Sequence, residues 1–138
     1  MKITIKRKDV FDKVRSEVFY RGEVRRGENV EVAAIAQMSE DDSAVFGDYF
    51  EEAVNDALGE LLIWHYPSLE IDGDAVFNLC PPASWPMLEE ELKSALENYI
   101  VHRVVGRWMN TIGIGVEDRT EADVIKIRRL LTKREKPL

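Results

Sequence analysis

The chain has 138 residues, 45% hydrophobic and 33% charged, with a formal net charge of −7. That length and composition support one domain, residues 1–138, with a real core, and exclude a disordered chain. No apolar run approaches the ~20 residues that span a bilayer, no signal-peptide stretch follows Met1, and the acidic balance argues against nucleic acid as the main partner. A single cysteine, Cys80, forms no internal disulfide and fits a reducing compartment, so the expected location is the cytoplasm.

Charge is sorted along the sequence. Residues 28–98 hold seventeen acidic residues and one basic residue, Lys93. Residues 1–27 hold nine basic against four acidic, and residues 99–138 nine against five. If the ends do not fold back over the middle, such a chain presents acidic and basic surfaces to a partner, or to a copy of itself head to tail.

Lys2 to Lys6 alternate in the manner of a short strand with Ile3 and Ile5 on one face. Asp9 is placed to cap a helix over about Val10 to Tyr20, with Val10, Phe11, Val14, Val18 and Phe19 at helical spacing. Gly22 and Gly27 bracket a basic turn, and residues 28–38 read as loop or partial structure.

The second helix is the clearest. Ser39-Glu40-Asp41-Asp42 supplies a cap and negative charge at its start. Phe46, Tyr49, Phe50, Ala53, Val54, Ala57, Leu58 and Leu61 then lie on one apolar stripe, opposite Asp48, Glu51, Glu52, Asn55, Asp56 and Glu60. Residues 67–84 read as a connector in which Asp72-Gly73-Asp74 turns and Ala75 to Leu79 form a short strand able to pair with residues 2–6.

Ser84 suits the N-cap of a third helix, and Gly113 and Gly115 end it. Its stripe from Leu88 to Trp108 covers so much of the circumference that a central place in a bundle is expected. Thr120 or Asp118 opens a fourth helix to about Lys133, with Val124, Ile127 and Leu131 on one face and Ile125 and Leu130 beside them. The expected fold is mainly α, a four-helix bundle-like domain with at most a small two-stranded sheet.

No spacing asks for catalysis, a cofactor or a metal. His65 and His102 share no ligand pattern. Asp72-Gly73-Asp74 lacks the closing glutamate of a calcium loop, since Ala83 stands at the twelfth position. Cys80 precedes two prolines and reads as a partly buried structural thiol. Gly113-Ile114-Gly115 is too short for a dinucleotide loop. What remains are interface candidates: Asp48, Glu51 and Glu52 on the second helix, Trp85 at the start of the third, and Arg128, Arg129, Lys133 and Arg134 on the fourth.

The helix from Asp41-Asp42 through Phe50-Glu51-Glu52-Ala53-Val54 to Leu61-Leu62, followed by the longer helix from Leu88-Glu89-Glu90-Glu91-Leu92 to His102-Arg103, resembles the small helical head–tail connector (adaptor) proteins of tailed bacteriophages and prophages. The resemblance covers residues 39–110 and is one of pattern, without an invariant motif. It implies a non-enzymatic structural role, in a ring that joins head to tail, with a second copy of the chain and other virion proteins as partners and the virion as a further location. The alternative expectation is a bacterial helical adaptor or regulator that binds a protein partner, with nucleic-acid contact by the basic fourth helix.

Overall fold

Alternation at the start of the chain produces a strand. In the computed structural model, β1 spans Lys2–Ile5, with Ile3 and Ile5 buried and Lys2 exposed. The structure describes residues 1–25, 37–61, 68–82, 89–113 and 119–132. The segment read as loop over 28–38 lies almost wholly outside them.

β1 pairs antiparallel with β3, Asp74–Asn78, setting Ile3 opposite Phe77 and Ile5 opposite Ala75. β3 also pairs antiparallel with β2, Ser68–Asp72, setting Leu69 opposite Phe77 and Ile71 opposite Ala75. The sheet therefore has three strands in the order β1-β3-β2, one more than the sequence led us to expect. The added strand lies in the stretch read as connector. Leu69 and Ile71 alternate with polar residues there, too briefly to stand out alone. Gly73, at φ 80°, turns the chain between β2 and β3 in a left-handed conformation that glycine adopts without strain. One face of the sheet is apolar and packs into the core.

Among the described residues, four α-helices complete a mainly α fold: α1 Arg7–Arg25, α2 Ser43–Glu60, α3 Glu89–Thr111 and α4 Thr120–Thr132. α1 begins two residues before Asp9. The main-chain N–H of Arg7 instead donates to Asp74 Oδ1 at 3.0 Å, so the start of α1 is satisfied by the tip of the β2–β3 turn. Ahead of α2, Glu40–Asp42 form a single 3-10 turn closed by a capping box: Ser39 Oγ accepts from Asp41 N, and Ser39 N donates to Asp42 Oδ2 at 2.8 Å. Gly113, at φ 81°, ends α3.

The wide apolar stripe of α3 has the expected consequence. α3 packs against α1, α2, α4 and β1, and Leu92, Leu96, Ile100, Val104, Val105 and Met109 are fully buried. Burial of each such side chain is worth ~1.5–3 kcal/mol, which outweighs helix propensity. α1 contributes Val10, Val14 and Val18, all fully buried. Phe19, grouped with that stripe in the sequence, is 52% exposed. The valines recur every four residues and define the inner line, and Phe19 lies one residue, about 100°, beyond Val18.

Candidate functional site

Where α1, α2, α3 and α4 approach one another they leave a polar cleft of about 230 Å³. Arg21, Arg103, Arg107 and Arg119 line it, together with Glu52, Asp56 and His102. The arginines come from the two basic ends of the sequence. Glu52 and Asp56 come from its acidic middle.

The cleft is an ion-pair network. Arg103 Nη2 donates to Asp56 Oδ2 at 2.7 Å. Arg107 lies 3.9 Å from Glu52 and sits over the Tyr49 ring, 5.7 Å from its centroid. Arg21 donates to Glu17 Oε1 at 3.1 Å, and Arg119 approaches the same oxygen at 3.7 Å. His102 Nδ1 lies 2.5 Å from Asp123 Oδ2, which ties α3 to the first turn of α4. Thr111 donates its hydroxyl to Arg107 O at 2.8 Å, so the Tyr49 hydroxyl is the donor in its 2.7 Å bond to Thr111 Oγ1. Carboxylates of this chain stand against each guanidinium, and the arrangement holds helices in place. The exposed pairs among them, Arg103–Asp56 and Arg107–Glu52, contribute about 0–1 kcal/mol each.

The same pairing reaches the predicted interface residues. Glu51 meets Arg7 at 3.4 Å, Glu52 faces Arg107, and Glu60 accepts from Arg128 Nε at 3.0 Å. The basic ends thus fold back over the acidic middle, and the charge sorting of the sequence becomes internal pairing. Asp48 is exposed on α2, and Arg129 is exposed on α4 with no ion pair among the described residues. Trp85, Lys133 and Arg134 lie outside the described residues.

Cys80 is exposed rather than partly buried. It follows Leu79, which strand alternation sends into the core, so the next side chain faces out. Among the described residues no group of three or more His, Cys, Asp and Glu side chains converges as metal ligands do. No described helix is long and apolar enough to cross a membrane.

Two surface features escaped the sequence reading. Phe19 and Tyr20, side by side on α1, are 52% and 65% exposed. A hydrophobic periodicity places aromatics on or beside a stripe, but it does not say where the neighbouring helices stop covering them. The second feature is the pair of sheet edges, which required knowledge of the strand order. No protein-family model matches the chain, and no curated protein or solved structure matches it either.

Proposed function

We propose that this chain is a non-enzymatic structural or assembly protein that acts by protein–protein contact, in the manner of a phage or prophage head–tail connector subunit. The observation that supports this reading is the exposed pair Phe19 and Tyr20 on a helix whose Val10, Val14 and Val18 are fully buried. Large aromatics left in water are enriched where proteins meet. The polar cleft supports it in a second way, because its charged groups are engaged with one another rather than converging on an open point.

The pairing within the molecule also changes how assembly is expected to respond to salt. Glu51, Glu52, Asp56 and Glu60 are engaged by arginines of their own chain. A contact made by Phe19 and Tyr20 is apolar and persists at high ionic strength, where exposed pairs are screened.

Light scattering across protein concentrations, at low and high salt, tests the reading. A closed oligomer that the Phe19→Ser/Tyr20→Ser variant loses, with an unchanged melting temperature, is the expected result. A monomer at every concentration in both proteins removes self-assembly and leaves the adaptor that binds a different protein. Retention of DNA by the chain, lost in Arg129→Glu, identifies a regulator instead.

A further inference from the structure

The geometry points to a second copy of this chain as the partner of the sheet: β2 of one molecule receives β1 of the next, in parallel, and the sheet continues from molecule to molecule. The inference rests on the assembly reading and adds a second contact to the one that Phe19 and Tyr20 make.

The main chain sets which groups are available. Met1 and Leu79 exchange both bonds, Met1 N to Leu79 O at 2.9 Å and Leu79 N to Met1 O at 2.8 Å. Bonded and non-bonded pairs alternate along an antiparallel ladder. With the observed register, Ile3–Phe77 and Ile5–Ala75 are bonded pairs, and Lys2 and Thr4 turn their N–H and C=O groups away from β3. The same alternation directs Asp74, Val76 and Asn78 toward β2, so Leu69 and Ile71 turn their main-chain groups outward on the far side. Among the described residues no strand pairs with either outer row.

Charge selects the partner. β1 reads Lys-Ile-Thr-Ile and is followed by Lys6, whereas β2 reads Ser-Leu-Glu-Ile-Asp. Lys2, Lys6 and Glu70 are exposed. Lysine on an edge strand normally blocks strand addition. Here it opposes β1 against a second β1, and Glu70 opposes β2 against a second β2. Those are the twofold contacts. The mixed contact turns both repulsions into opposite-charge neighbours across strands.

Direction agrees. β1 and β2 are each antiparallel to β3, so they run parallel to one another. A copy that continues the sheet brings its β1 alongside β2 with both apolar faces on the same side; three strands span only about 14 Å, so the sheet curves and the helices of successive copies fan outward. Main-chain bonds then supply the contact, as in other strand additions. The contact is heterologous and repeats until it closes a ring or extends a filament.

Light scattering on the full chain and three variants tests this. Thr4→Pro removes an outward N–H and leaves the β1–β3 bonds intact, a position where edge strands tolerate proline. We expect it to stay monomeric at concentrations where the parent assembles, with the same far-ultraviolet circular dichroism. Lys2→Glu/Lys6→Glu and Glu70→Lys each weaken assembly by about tenfold. The triple variant that carries all three changes regains it, as does an equimolar mixture of the two. Should Thr4→Pro disturb the fold, the charge variants decide alone. Assembly retained in a folded Thr4→Pro but lost in Phe19→Ser/Tyr20→Ser overturns the strand contact and leaves the assembly reading standing. Failure of the triple variant to recover overturns the charge-matched pairing. A parent that never assembles overturns both.

Discussion

Arg128 of α4 donates its Nε to Glu60 Oε2 of α2 at 3.0 Å, across sixty-eight positions of sequence. The basic last helix is thereby tied to the acidic second helix of its own molecule. Arg128→Glu places like charges together and is expected to lower stability by about 0.5–1 kcal/mol, since the pair is exposed. Adding Glu60→Lys restores most of the loss. A double-mutant cycle in urea measures the coupling, and a coupling near zero refutes the pair. Arg129→Glu, on an exposed neighbour without an ion pair among the described residues, leaves stability unchanged and is the cleaner probe of a binding role.

Arg7 joins three elements. Its Nε donates to Gly73 O at 2.8 Å, its Nη2 reaches Glu51, and its guanidinium lies 5.2 Å from the centre of the Phe50 ring. Arg7→Ala is expected to cost about 1–2 kcal/mol through loss of a charged donor at a carbonyl. Faster amide exchange confined to the β2–β3 turn and the start of α1 is the local signature. Unchanged exchange there contradicts the role.

Phe50 is fully buried and packs its ring 5.7 Å from that of Phe46, which in turn lies 4.7 Å from Phe11 of α1. Phe50→Ala removes the buried end of that row and should cost about 3–5 kcal/mol. A lower urea midpoint with the same slope is the expected result.

Two helix glycines separate local propensity from contact. At Gly106, inside α3, an added Cβ meets nothing within 4 Å, whereas at Gly47, inside α2, it meets Arg7 Nη1 at 3.1 Å. Gly106→Ala is expected to stabilise by about 0.5–1 kcal/mol through the unfolded chain. Gly47→Ala gains the same local term but displaces a guanidinium already bonded to Gly73, so its net effect falls below that of Gly106→Ala. Equal shifts in melting temperature count against the Arg7 contact.

Local patterns determined much of the fold in advance. The four helices and the central place of α3 follow from apolar side chains at helical spacing. The capping box at Ser39 and the stop at Gly113 follow from residue types whose short-range bonding is nearly independent of the rest. β1 and β3 follow from alternation. These features depend on neighbours within a few positions, which is the range over which a sequence pattern carries direct information.

Tertiary structure decided the rest, because the deciding neighbours are far away in the chain. Asp74 satisfies the start of α1, although Asp9 sits closer. β2 exists as a strand because β3 offers it a partner and a face to bury. Phe19 follows buried Val18 in the chain yet stays in water, because the packed neighbours of α1 do not reach around to its side of the helix. Most of all, the separation of acidic and basic segments carries no statement about where they meet. Close packing brings Arg103 and Arg128 onto α2, and the same folding leaves opposite charges at the two edges of the sheet, a relation set by strand order alone.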